Sequence, residues 1–284
     1  MTTPSQKEHV FSVDVEDWYQ GIELPMSEWD RYEPRVETSM GRLLDLLVKH
    51  NVKCTCFILG RLAEEHPALV KKIHEEGHEI ATHGYSHEKI YNLEPAQFKE
   101  QLKRSLGTLE DITGESVIGH RASYFSITKE SLWALDILSE EGILYDSSIH
   151  PVINYRYGIA DADRFSSILE TRQGNKMLEI PVSTYAFWKV NIPVGGGAYL
   201  RIYPYFFLKS CLASLEKKNE NISIYMHPWE LDPDQPKIKL PWRVSLTHYF
   251  NLRSTEAKLD RLLSDFIFKP YKEIYRTVLA GIAK

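Results

Sequence analysis

At 284 residues the chain is long enough for one large α/β domain with a sizeable core, and it needs no disulfides to hold it together. Its 43% hydrophobic and 26% charged residues argue against disorder, a fibrous repeat and a membrane-embedded chain, and a formal charge of -5 leaves no basic excess for a phosphate backbone, so no nucleic-acid partner is expected. Cys54, Cys56 and Cys211 are an odd set that reads as structural thiols in a reducing compartment. The segment from Met1 to His9 carries no apolar leader, and no stretch reaches the roughly 18 apolar residues that span a bilayer, so the expectation is a cytoplasmic protein with no membrane span.

Short β-branched or aromatic runs alternate with stretches of 3.6-residue periodicity, which predicts βα units around a parallel sheet or barrel. The strand Val10 to Val15 is followed by a helix whose stripe is Met40, Leu43, Leu44, Leu47 and Val48. Lys53 to Leu59 leads into one helix marked by Leu62, Leu69, Val70 and Ile73 that ends near Gly77. Strands at Glu79 to Thr82 and Ser116 to Gly119 flank a helix carrying Phe98, Leu102, Leu106 and Leu109, and a fourth helix carries Leu132, Leu135 and Leu138. The last strands are Leu178 to Val182 and Ile222 to Met226, with a helix from about Tyr205 to Lys217 between them. Beyond Pro228, the prolines Pro233, Pro236 and Pro241 precede one more amphipathic helix through Leu259, Leu262, Leu263 and Phe266, read as an appendage on the same domain.

Polar residues gather at the C-terminal ends of these strands, where parallel α/β folds build their sites. Asp14, Glu16 and Asp17 close the first strand, and a period of two puts Asp14 and Glu16 on one side with Val13 and Val15 on the other. Carboxylates there either do chemistry or cap the next helix. His83 and His87 lie four residues apart, a spacing that lets both rings reach one metal ion, although an exposed loop pair has the same spacing. His227 ends the run Ile222 to Met226, placed either as a general acid near neutral pH or as a hydrogen-bonded structural group. Arg121 and Asp146 sit at two further strand ends, where surface ion pairs would explain them as well.

In chain order, Ser12-Val13-Asp14-Val15-Glu16-Asp17, His83-Gly84-Tyr85-Ser86-His87, Arg121 to Tyr124, Asp146-Ser147-Ser148 and Tyr225-Met226-His227 resemble the five motifs of the polysaccharide deacetylase family, the NodB-homology or carbohydrate esterase family 4 proteins. The branch found in bacterial exopolysaccharide and lipopolysaccharide loci is the most similar. The resemblance covers about residues 10–233. It implies an α/β fold, a distorted and incomplete (β/α) barrel of about seven strands, with a C-terminal helical extension over about 234–284 in one domain. Most members carry two successive aspartates in the first motif. Here Val15 fills the second place, as in relatives of the form D-V-D, which makes Glu16 the metal ligand with Asp17 its competitor. Ser123 stands for the usual Pro of the third motif, Tyr225 for the Leu that lines the acetyl-methyl pocket, and the fourth motif lacks its nearby Trp.

The resemblance implies metal-dependent hydrolysis of an acetamido group on a sugar, in bacterial surface polysaccharide or lipopolysaccharide biosynthesis. Two imidazoles and a carboxylate suit zinc, with cobalt, nickel or iron as alternatives. Asp14 is then the base, held by Arg121; His227 is the acid, oriented by Asp146 or another carboxylate; and the Tyr124 N–H helps hold an oxyanion. Tyr124, Trp18 and Trp229 are candidate sugar-stacking rings, with core packing as the alternative. Ile180 to Tyr199, with Gly195-Gly196-Gly197, reads as a flexible substrate loop. Three rivals remain: a glycan-binding member without catalysis, a hydrolase of another C–N bond in peptidoglycan or a cyclic ureide, and a facial-triad iron oxygenase, which the β/α alternation counts against.

Overall fold

The computed structural model describes residues 7–154, 156–188, 190–218 and 220–283. Along the chain run β1 (Glu8–Val15), α1 (Val36–Lys49), β2 (Thr55–Ile58), α2 (Gly60–Glu65), α3 (Pro67–Glu75), β3 (Glu79–Thr82), α4 (Pro95–Thr113), β4 (Gly119–His120), α5 (Trp133–Glu140) and β5 (Tyr145–Asp146). Then come β6 (Ser167–Glu170), β7 (Lys176–Glu179), β8 (Thr184–Phe187), β9 (Val190–Pro193), α6 (Ala198–Ile202), α7 (Tyr205–Lys217) and β10 (Ser223–Met226). The C-terminal part holds α8 (Trp242–Tyr249), α9 (Thr255–Asp265), β11 (Ile267–Lys269), α10 (Tyr271–Ile274) and α11 (Arg276–Ile282). Among the described residues no helix is long and apolar enough to cross a membrane.

The main sheet has the order β10-β1-β2-β3-β4-β5-β7-β6, with β11 added to β1. Every pair from β10 to β7 is parallel and only β6 runs antiparallel, so seven parallel strands curl into a barrel that stays open. This is the incomplete barrel expected from the sequence. Parallel strands are buried on both faces, and β1 shows it: every residue after Glu8 is buried. Phe11, Val13 and Val15 pack outward against α1, whose Met40, Leu43, Leu44 and Leu47 supply the facing stripe. Val10, Ser12 and Asp14 project the other way, where Val10 joins Phe57, Ala81, Tyr145 and Tyr271 in a second apolar cluster.

Several elements depart from the sequence expectation for local reasons. The single helix expected through Leu62 and Ile73 is two, because Pro67 cannot donate a helical N–H and His66 before it sits outside helical angles (φ -127°, ψ 53°). Ile180 to Tyr199 holds a two-stranded hairpin, β8–β9, rather than an unstructured loop. Its glycines serve close packing: Gly196 bridges to Tyr225, and a Cβ there would run into the Tyr225 carbonyl. The C-terminal stretch contributes a strand, β11, beside Glu8 to Val10, and its Tyr271 stacks on Tyr145 at 5.5 Å and 2° inside the barrel.

The Tyr271 hydroxyl accepts a hydrogen bond from Arg121 Nη2 at 2.9 Å and bonds Ser223 Oγ at 2.7 Å. Tyr271→Phe keeps the ring and strips a buried donor of one partner, so equilibrium denaturation should show a loss of about 1–3 kcal/mol. His150, in the loop after β5, is buried with its Nδ1 unpaired, and burial, aided by the Arg121 charge, pushes its imidazole down to about 3. The folded chain keeps this ring neutral while the unfolded chain protonates it below about 6.5, so stability falls as pH drops from 6.5 toward 3. In urea titrations His150→Leu should flatten that part of the stability–pH curve relative to the parent protein.

Candidate active site

Because the strands are parallel, their C-terminal ends meet at one rim of the barrel, and the register aligns Ile58 with Thr82, Thr82 with His120, and His120 with Asp146. The residues just past those ends are Glu16, His83, Arg121, Ser147 and His227. A cleft of about 550 Å³ opens there, and Asp14, Glu16, His83, His87, Tyr124, Tyr225, His227 and Trp229 line it.

Within the cleft, Glu16 Oε1 lies 2.9 Å from His83 Nε2 and 2.8 Å from His87 Nε2, all three side chains buried. His83 Nδ1 is 2.8 Å from the Arg121 carbonyl, which can only accept, so the ring donates there and its neutral form presents a lone pair at Nε2. A lone pair facing a carboxylate at that distance is repulsive unless a positive charge lies between them. Glu16 Oε2 is also buried without a partner. Two imidazole nitrogens and one carboxylate, short of positive charge, fit a divalent cation. Burial works against the ionised form of Glu16, but its interactions with the His87, His227 and His83 imidazoles hold its carboxyl well below the usual range.

Asp14 leans on Arg121, whose Nη1 donates to Oδ1 at 2.6 Å and to Ser12 Oγ at 2.9 Å. Arg121 is fully buried and saturated: Nε donates to the Ser147 carbonyl, Nη2 to Ser147 Oγ and Tyr271, and its guanidinium lies 4.2 Å from the Phe57 ring centre. His87, Tyr124 and Phe125 carry positive φ values of 57°, 58° and 53°, an unfavourable conformation for such side chains that gathers beside the cleft.

His227 also lines the cleft, its Nε2 4.0 Å from Glu16 Oε1. Its Nδ1 lies 2.9 Å from Glu230 Oε1, and its ring stacks on Trp229 at 5.0 Å and 21°. Burial disfavours a charge on the ring, yet Glu16, Glu230 and Asp14 raise its pKa to about 9.

Three sequence expectations need correction here. Asp17 does not point at the histidines: Oδ1 accepts from the Trp18 N–H at 2.8 Å, and Oδ2 from the N–H groups of Arg35 and Val36 at 2.7 and 3.0 Å, capping α1. Asp146 does not reach His227; it bonds His120 Nδ1 and Ser148 Oγ, both at 2.7 Å, while Ser148 Oγ accepts from the Ala122 N–H and so shapes the Arg121 segment. Trp18 is a core ring, 1% exposed, its Nε1 tied to the Glu33 carbonyl and its ring in T-shaped contact with Tyr19 and Tyr32, whereas Tyr124 and Trp229 do line the cleft. The carboxylate beside His227 is Glu230, three residues on. Its legible signal was the capping-box spacing around Pro228, since Glu230 Oε1 also accepts from the His227 N–H at 3.0 Å.

Residues 29–140 match the family model described as polysaccharide deacetylase, and 147–276 match a domain of unknown function, DUF3473. A peptidoglycan deacetylase-like protein of Gibberella zeae is 36% identical over 39% of this chain and 32% of its own length. A peptidoglycan-N-acetylglucosamine deacetylase of Bacillus cereus is 30% identical over 39% and 45%, and a peptidoglycan deacetylase of Helicobacter pylori 29% identical over 52% and 54%. The chain thus spans about a third to a half of the length of these curated relatives. Among solved structures, a Mycobacterium smegmatis protein described as a polysaccharide deacetylase superposes with a TM-score of 0.66 at 20% identity, covering 99% of this chain and 93% of that one. The PuuE allantoinase gives 0.64 at 17%, covering 99% and 96%. Both show the same fold.

The geometry separates Glu16 from Asp17. Glu16→Ala should bind no zinc in metal analysis after reloading, while Asp17→Ala should retain it and lose about 1–2 kcal/mol in denaturation through the missing cap.

Proposed function

We propose that the chain, whose residues 29–140 match the polysaccharide deacetylase family model, hydrolyses the acetamido C–N bond of a sugar, using a divalent ion, zinc by preference, held by Glu16, His83 and His87. What supports this most is the shared cleft, which Asp14 and His227 line together with that ligand set. When bound, such an ion supplies Lewis acidity, polarising a carbonyl oxygen and acidifying water.

The chain's own residues do the remaining work. Asp14, fixed by Arg121, takes a proton from the attacking water. The Tyr124 backbone N–H offers a hydrogen bond to the developing oxyanion. An amine leaves poorly as an anion, so His227 delivers a proton to the departing nitrogen, with Glu230 facing its Nδ1 to favour the charged ring. Tyr225 and Trp229 give the cleft aromatic walls of the kind sugars pack on.

The same reading takes the chain as a single domain, since β11 pairs with β1 and Tyr271 bonds Arg121. It places the substrate among acetylated glycan intermediates of bacterial surface polysaccharide or lipopolysaccharide biosynthesis, and the three free, buried thiols suit a reducing cytoplasm.

Acetate release from acetamido sugars, measured on metal-stripped and reloaded protein, tests the reading. Turnover should appear only after reloading. His227→Ala should keep the metal and lose about 10²–10⁴-fold in kcat, and His83→Ala should lose both metal and activity. Normal turnover by the His227 variant would refute the assigned acid, and binding of glycans without acetate release would favour a non-catalytic member of the fold.

A further inference from the structure

Arg201 belongs to none of the five motifs, yet it lines the cleft from α6 and is 1% exposed. Its Nε donates to Glu230 Oε2 at 2.6 Å, and its Nη1 donates to the carbonyls of His248 and Phe250 at 3.1 and 3.0 Å. Glu230 is wholly buried and divides its oxygens: Oε2 meets Arg201, and Oε1 meets His227 at both Nδ1 and the backbone N–H. The Arg201 guanidinium also stands 5.4 Å from the Trp229 ring, whose indole stacks on His227 at 5.0 Å and on His248 at 4.3 Å.

We propose that Arg201 is a positioning residue for proton delivery: it pins Glu230 against His227 Nδ1 so that the imidazole turns its Nε2–H toward the cleft, and it ties that orientation to the C-terminal segment around α8. The inference rests on His227 as the proton donor.

The physical reason is the cost of a buried carboxylate. Without a cationic partner a fully buried glutamate takes up a proton, and a neutral Glu230 holds an imidazolium far less firmly. Arg201 supplies the partner, and its planar fork fixes direction as well as charge. Its second anchor is distinctive, because the carbonyls of His248 and Phe250 lie at the end of α8, whose Val244 and Thr247 form part of the same cleft wall. One guanidinium therefore links the wall of the cleft to the orientation of the proton donor.

The test compares the full-length, metal-reloaded parent protein with Arg201→Met, Arg201→Lys and Glu230→Gln, using two readouts. In long-range ¹H–¹⁵N spectra of the histidine rings, the parent should show a protected, hydrogen-bonded His227 Nδ1 proton. Arg201→Met and Glu230→Gln should lose it, and Arg201→Lys should recover it in part. In kinetics, an acetamido sugar needs a proton on its leaving nitrogen, whereas 4-nitrophenyl acetate releases a phenolate that needs none. Arg201→Met should therefore lose about tenfold or more in kcat on the amide beyond its loss on the ester, with bound metal unchanged. A purely structural ion pair would lower both rates alike, and that result, or an unaltered His227 signal in Arg201→Met, would overturn the proposal. If Arg201→Met does not fold, the near-isosteric Glu230→Gln decides by the same criteria. A parent protein that releases no acetate but shows the Arg201-dependent His227 signal would sink the deacetylase reading and leave the positioning role standing.

Discussion

The site depends on a local shortage of positive charge. Glu16 Oε1 stands within 3 Å of two imidazole nitrogens, and the Arg121 carbonyl behind His83 commits that ring to offering a lone pair at the other end. Three Lewis bases at hydrogen-bonding distance, with all three side chains buried, are stable together only with a cation or extra protons among them. A divalent ion answers that need with the fewest rearrangements, since the donors are already turned inward.

The scaffold creates this shortage by alternation. Along β1 the odd positions Phe11, Val13 and Val15 enter the helix-facing core, so Ser12 and Asp14 must face the barrel interior, with Glu16 next in the same phase. Arg121 then crosses that interior and satisfies Asp14, Ser12, Ser147 and Tyr271 together. Burying a guanidinium is costly unless each donor finds a partner, and here the partners come from β1, from the segment just past β5 and from the C-terminal helix α10. The barrel is thereby fastened at Asp14, the proposed base.

The sequence revealed these features unevenly, and the reason is the range of the interactions involved. Period-two alternation is a property of one strand, so the shared side of Asp14 and Glu16 was legible from Val13 and Val15 alone. The five ordered motifs carried the open barrel and the histidine pair. Asp17 could not be told from Glu16 by spacing, because its partners, the N–H groups of Arg35 and Val36, lie 18 and 19 positions away. Asp146 was misplaced beside His227 for the same reason, since its actual partner is His120 on the neighbouring strand, whereas Glu230, three residues from His227, left a local sign in the capping-box spacing. The β8–β9 hairpin and β11 were missed because short strands are stabilised by what they pair with rather than by their own pattern. Tyr271, near the far end of the chain, gave no local sign that it reaches Arg121.

The most direct test of the account is anomalous diffraction from crystals of the protein reloaded with one equivalent of zinc. The account predicts one ion per chain in contact with Glu16 and with Nε2 of both His83 and His87. An ion seated on other residues, or protein that takes up none while the three side chains keep their mutual contacts, would contradict it.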